Sequence, residues 1–273
     1  MPAPVRPFLR NTWYWTADAI DRVQGRRDSL TPPRSKSYYI GSADFRTLGQ
    51  EFKRYMIDLG ELGPDGRILD VGCGIGRMAV PLTEYLSPRG EYHGFDIVPT
   101  GIDWCRQNIS SRFPNFHFEH VDVYNKNYNP GGSLTARTLR FPHEDDRFDV
   151  VLLASVFTHM LPSDLENYLL EVSRVLKPGG RGLITFFLLN PESLDLIEAG
   201  RSTQDFKHKL DGCLVVDVDN PEASIAYSED DVRSMYAARG LTIAEPIRFG
   251  SWCGRHEFLS YQDIVVGIKA GDR

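Results

Sequence analysis

The chain has 273 residues, 41% of them hydrophobic and 11% aromatic, which is enough for one substantial α/β core and not obviously two. Its formal net charge is −6 with no basic run, which argues against a nucleic-acid partner, because phosphate contacts draw their affinity from Lys and Arg. The N-terminal segment has no apolar run of signal-peptide length and no later stretch reaches the roughly twenty apolar residues of a membrane span, so a cytoplasmic chain without a membrane partner is expected.

In chain order, residues 1–41 read as an N-terminal arm, rich in Pro and Arg, with an aromatic group at Trp13, Tyr14 and Trp15. Residues 42–273 read as a single domain. Phe45, Leu48, Phe52, Tyr55, Met56 and Leu59 recur at helical spacing, so an amphipathic helix runs from about Asp44 to Gly60. A short apolar strand then enters Asp70-Val71-Gly72-Cys73-Gly74-Ile75-Gly76, a nucleoside-binding elbow in which glycine lets the backbone turn sharply and approach a ligand. A dinucleotide loop would carry its third glycine where Arg77 stands, and would set no carboxylate such as Asp70 against a pyrophosphate. Strand two, Glu91 to Ile97, ends at Asp96, and strand three, Phe116 to Val121, ends at Asp122-Val123. Strand four, Phe148 to Ala154, opens into Ser155-Val156-Phe157-Thr158-His159.

Ser163 followed by Glu166 reads as a capping box before a helix with Leu165, Leu169, Val172 and Leu176 on its buried face. That helix leads through Lys177-Pro178-Gly179-Gly180 into strand five. Two stretches exceed the minimal strand-helix alternation, residues 124–147 and 190–227, and loops of that length in a compact domain are usually functional. A helix at Ser228 to Arg239 precedes strand six, about 241–249, and strand seven, about 261–269. The alternation implies a parallel sheet with helices on both faces. The four cysteines, Cys73, Cys105, Cys213 and Cys253, form no C-x-x-C pair, so reduced thiols are expected and neither a disulfide framework nor a metal site.

On the elbow, the acids ending strands two and three, and the glycine pair before strand five, the chain resembles the class I S-adenosylmethionine-dependent methyltransferases, in particular bacterial enzymes acting on small molecules or glycans. The resemblance covers roughly residues 65–190. It implies a Rossmann-like sheet of seven strands, mostly parallel with the last antiparallel. S-adenosyl-L-methionine would be the cofactor and S-adenosyl-L-homocysteine its product. It further implies a cofactor site of Asp70, Gly72, Cys73, Gly74, Gly76, Asp96, Ile97, Asp122, Val123 and Ser155, with Asp96 on the ribose hydroxyls and Asp122 near the adenine amino group. Arg77 either reaches the cofactor's carboxylate or is a helix-surface cation. Tyr38, Tyr39 and Phe45 either close over the cofactor or pack.

A methyl carried on a sulfonium is already activated, so the protein has to align the acceptor and, for an alcohol, remove its proton. His159, just past strand four, is the candidate general base, with a structural role as the alternative; His256 and His143 are weaker candidates. If strand seven returns antiparallel, the turn from Gly250 to His256 lies beside the acceptor. Phe157, Tyr39, Trp252, Arg255 and His256 are therefore candidate substrate contacts. No base-amine or cytosine-methylating motif follows strand four. These features favour O-methylation of a small or medium polar acceptor, with a sugar or glycan as one option. N-methylation and O-methylation of a phenol or natural product stand as alternatives. The rival classes are an NAD(P)-dependent oxidoreductase and a non-catalytic cofactor-binding module. Oligomeric state is left open, with a homodimer as one option.

Overall fold

The computed structural model describes Thr16, Asp18, residues 28–37, Ile40 and residues 43–271. Most of the expected N-terminal arm, Tyr39 included, lies outside the described residues.

Helix α1 (Phe45–Asp58) begins where the Asp44 side chain accepts the Thr47 backbone N–H at 2.8 Å, satisfying one of the free donors of the first turn. It buries Phe52, Tyr55 and Met56 against the sheet. Strands β1 (Arg67–Val71), β2 (Glu91–Asp96), β3 (Phe116–His120), β4 (Phe148–Leu153) and β5 (Leu176–Phe186) run parallel, joined through α2 (Ala79–Leu82), α3 (Pro99–Cys105) and α4 (Pro162–Val175). Beyond β5 come β6 (Leu188–Leu189), α5 (Pro191–Glu198), β7 (His208–Leu210), β8 (Cys213–Val215), β9 (Ile225–Ser228) and α6 (Glu229–Ala238). The chain closes with β10 (Leu241–Ile243) and β11 (Asp263–Lys269).

The main sheet has the order β10-β11-β5-β4-β1-β2-β3, with β11 antiparallel to both neighbours. This is the expected seven-stranded α/β architecture. Along β4, Val150 and Leu152 face the core under α1 and α3, whereas Val151 and Leu153 face the core under α4 and α6. Burial on both faces explains why the central strands read as continuous apolar runs rather than alternating ones. Because β1 lies between β2 and β4, strand order reverses there, and the crevice outside the carboxyl ends of β1 and β4 is where such sheets bind ligands.

Three expectations need correction. Helix α4 starts at Pro162 with Leu161 before it and no side-chain cap, so the Ser163 capping box does not form. Proline suits the first helical position because it has no N–H to leave unpaired. Ser163 instead accepts a bond from the Arg137 guanidinium at 2.8 Å. Strand six stops at Ile243, since Pro246 cannot donate to a ladder, and only an isolated bridge from Arg248 to Ile264 resumes the pairing. The segment 190–227 is not an irregular loop. It contains α5 and, with β6 just before it, builds a second sheet of order β6-β9-β8-β7 over a small cluster of Phe187, Phe206, Ala226, Trp252 and Cys253.

Candidate active site

The elbow after β1 holds Gly72, Gly74 and Gly76 at φ of +76°, +58° and +78°, a region that side chains other than glycine rarely adopt. A Cβ on Gly72 would come 2.6 Å from Val156 Cγ2, so the elbow is packed directly against the turn that follows β4. The Gly72 and Cys73 N–H groups donate to the Phe95 carbonyl at 2.9 and 3.1 Å, tying the elbow to the end of β2.

Asp96 is buried and fixed at both oxygens. Gly74 N–H donates to Oδ2 at 2.7 Å and Val98 N–H to Oδ1 at 2.8 Å. Burial raises its pKa, opposed by those backbone donors. Each oxygen retains a lone pair, so the carboxylate can still accept two further hydroxyls. Asp70, 1% exposed, lies beneath the elbow and accepts the Tyr92 hydroxyl at 2.5 Å. Burial pushes its pKa up to about 7, with the Asp96 charge adding to the effect. Cys73 is buried beside these acids, and burial pushes its thiol well above the usual range, which makes it inert.

Asp122 accepts Ser133 Oγ–H at 2.8 Å, Ser133 N–H at 3.2 Å and Asn129 Nδ2–H at 3.1 Å. The Ser133 and Asn129 bonds hold its pKa below the ordinary carboxylate value. Its carboxylate therefore organises the loop after β3, at the position that the resemblance sets near the adenine amino group. Val123 is buried, and Ile97 O lies 3.3 Å from His120 Nε2. At the end of β4, Ser155 has φ of +60°, donates its N–H to Thr185 Oγ1 at 2.7 Å and its hydroxyl to Gln262 Oε1 at 2.8 Å.

His159 sits in the turn Phe157–His159, with Nδ1 at 2.8 Å from the Glu222 carbonyl. A carbonyl only accepts, so Nδ1 carries the proton and Nε2 keeps its lone pair. Burial lowers the pKa of His159, which favours the neutral ring. The Tyr128 ring stands edge-on to the imidazole at 5.9 Å. Sequence reasoning marked the two long segments that supply Tyr128 and Glu222 but neither residue, because nothing local in the sequence says which loop residue meets which.

The expected substrate contacts fare differently. Phe157 is fully buried against Phe186. Trp252 is fully buried between Phe187 and Phe206, and its Nε1–H donates to Asp263 Oδ2 at 2.7 Å. Arg255 is spent on Glu192, Asp263, Asn190 and the Gly250 carbonyl while lying over the Phe249 ring. These three are scaffold under the second sheet and offer no free face. His256 is exposed and meets Arg201 at 2.8 Å. It is not this turn but Gln262, just before β11, that meets Ser155 at the carboxyl end of β4, which was not anticipated. His143 packs on His93 and Phe148 at the amino end of β4, and burial pushes its pKa down to about 4. Trp104 is core.

Residues 68–180 match the family described as a methyltransferase domain. The demethylmenaquinone methyltransferase of Deinococcus radiodurans is 34% identical over 121 residues, 44% of this chain and 43% of that protein. The 2-phytyl-1,4-naphtoquinone methyltransferase of Trichormus variabilis is 26% identical over 146 residues, 53% of this chain and 57% of that protein. The aligned part thus spans about half the length of these relatives. Among solved structures, the 1,6-didemethyltoxoflavin-N1-methyltransferase of Burkholderia thailandensis, bound to S-adenosylhomocysteine, superimposes with a TM-score of 0.51 at 16% identity, covering 99% of this chain and 93% of that one.

Over residues 68–180 the chain carries a class I S-adenosylmethionine-dependent methyltransferase domain.

The residues of this methyltransferase domain fit the donor of that family. The elbow leaves no room for a Cβ, Asp96 has two free lone pairs, and Arg77 adds a third feature. Arg77 is buried in the turn before α2, not on a helix surface, with Nη2 donating to the Ile40 carbonyl at 2.6 Å and Nε without a partner among the described residues. An orphaned buried guanidinium N–H is costly unless an acceptor arrives, so an anionic ligand end suits it. Ile40 also lies 3.0 Å from where a Gly74 Cβ would stand, which places the guanidinium's partner at the elbow itself. Among the described residues no group of His, Cys, Asp or Glu is arranged to hold a metal ion, and no helix is long and apolar enough to cross a membrane.

Proposed function

We propose that this chain transfers the methyl group of S-adenosylmethionine to a hydroxyl of a small polar acceptor, with His159 as the general base. When bound, the cofactor supplies a methyl group on a sulfonium, whose leaving group is already activated. The Gly72–Gly76 backbone and Asp96 would hold its nucleoside end, with Arg77 available to its carboxylate. His159 Nε2 would take the acceptor proton as the carbon–oxygen bond forms, while Nδ1–H stays on the Glu222 carbonyl to orient the ring and stabilise the imidazolium. The observation that carries this reading is the half-buried imidazole just past the carboxyl end of β4, whose Nδ1 meets the Glu222 carbonyl and so leaves Nε2 as the basic nitrogen.

The segment 190–227 and the loop after β3 would form the cover on the acceptor side of the domain. Small-molecule acceptors are supported by relatives named for quinone and toxoflavin substrates. A saccharide keeps no support from Trp252 or Arg255, whose side chains are committed to the scaffold. Four free, buried thiols suit work in a reducing cytoplasm.

The test is a screen with methyl-labelled cofactor against hydroxyl, phenol and amine acceptors, followed by His159→Ala on whichever is turned over. The expected result is transfer to oxygen and a fall in kcat of about 100- to 10,000-fold. Turnover confined to amines would sink the oxygen reading, and unchanged turnover in the variant would remove His159 as the base.

A further inference from the structure

Two segments distant in sequence meet over His159. From the loop after β3, Lys126 N–H donates to Glu222 Oε2 at 3.2 Å and Lys126 Nζ donates to the Asp219 carbonyl at 2.7 Å. Next to it, the Asn127 and Asn220 side-chain amides bond reciprocally, Nδ2 to Oδ1, at 3.2 and 3.1 Å. These contacts cross 93 to 96 residues of chain and bind the one turn, Pro221–Ala223, whose Glu222 carbonyl receives His159 Nδ1–H. The other bonds holding that turn are internal to the second sheet and its approaches: Val216 N–H to Ser224 O, Ala223 N–H to Asn220 O and Ser224 Oγ–H to Gln204 Oε1. None of these aims the Glu222 carbonyl at the imidazole.

We infer that Lys126, Asn127 and Asn220 are positioning residues that clasp the loop after β3 to the second sheet and thereby fix the tautomer of His159. They act through the Glu222 carbonyl and touch neither cofactor nor acceptor. With the clasp closed, the carbonyl stays on Nδ1 and Nε2 remains basic. With it open, the imidazole loses the partner that selects this tautomer, and the Nε2–H form, useless as a base toward the acceptor, gains population. The contacts are neutral or solvent-exposed and therefore individually weak, so the clasp opens at low cost and the same motion exposes the face that Tyr128 shares with His159. This inference deepens the role proposed for His159 and rests on that reading for its catalytic meaning, though not for its structural content.

The experiment is nitrogen NMR of the full chain with 15N-labelled histidine, reading the His159 tautomer from its two ring-nitrogen shifts in the presence of S-adenosylhomocysteine. Wild type is expected to show His159 mainly with its proton on Nδ1. A Lys126→Ala, Asn127→Ala, Glu222→Ala triple variant, which removes every clasp contact but keeps the residue-222 carbonyl, is expected to lower the ratio of Nδ1–H to Nε2–H forms about fivefold, the equivalent of one neutral hydrogen bond, with the melting temperature changed by no more than about 3 °C. An Asn127→Asp, Asn220→Lys pair, which replaces the amide bridge with an ion pair, is expected to retain the wild-type ratio. An unchanged ratio in the triple variant, or a wild-type ring with its proton on Nε2, overturns the clasp. Because the tautomer is read without an acceptor, the clasp can fail while His159 remains the base. Conversely, His159→Ala with full turnover would reject the base and leave the clasp standing.

Discussion

Asp70→Asn isolates the electrostatic cost built into the elbow. The Asp70 carboxyl is 1% exposed, accepts one hydroxyl from Tyr92, has no cation beside it among the described residues and is pushed up to about 7 by burial. A folded value above the unfolded one means that the native state holds this proton more tightly. The group's contribution is fully present below the ordinary carboxylate pKa and is lost as pH rises toward about 7. Three pKa units correspond to about 4 kcal/mol, of which about 3 kcal/mol is lost between about pH 4.5 and about pH 8. Asparagine offers Tyr92 the same acceptor and never ionises. In urea unfolding of the cofactor-free chain, the stability of Asp70→Asn relative to wild type is therefore expected to improve by about 3 kcal/mol on going from about pH 4.5 to about pH 8. The same difference at both pH values would refute the reasoning, since it would mean that Asp70 ionises in the folded chain as easily as in the unfolded one.

Two further outcomes follow from the same geometry. Asp96→Ala strands the Gly74 and Val98 N–H groups and removes two acceptor positions, so calorimetric affinity for S-adenosylhomocysteine is expected to fall about 100-fold or more. Trp252→Phe keeps the aromatic packing on Phe187 and Phe206 but leaves the buried Asp263 one donor short. It is expected to cost about 1–3 kcal/mol in urea unfolding with cofactor affinity unchanged, and weakened cofactor binding would return Trp252 to the ligand site.

How far the site was legible varies with how local its geometry is. The elbow was readable because glycine at φ near +76° and +78° is a backbone requirement that only one residue type meets cheaply, and an acid at the end of β2 is one register step from it. The Trp252 turn was placed correctly at the carboxyl end of the sheet by topology, yet its side chains were misread. Whether an indole faces a ligand or a core depends on what covers it, and here Phe187, Phe206 and the second sheet do. Arg77 was left open between a cofactor contact and a surface cation. Its spacing does not decide between them, and it is tertiary packing, with Ile40 folded back across the elbow and α1 against its backbone, that buries it.

By itself the sequence determined the alternation of strand and helix and the residues of the elbow, because periodicity and backbone conformation are properties of neighbouring residues, while the joining of seven strands into one sheet was what the resemblance implied. Tertiary structure alone decided that residues 190–227 form a sheet, that Trp252 and Arg255 support it, and that Glu222 and Tyr128 flank His159. Those relations join residues about 30 to 100 positions apart through hydrogen bonds and burial, and no local pattern encodes which long loop will find which.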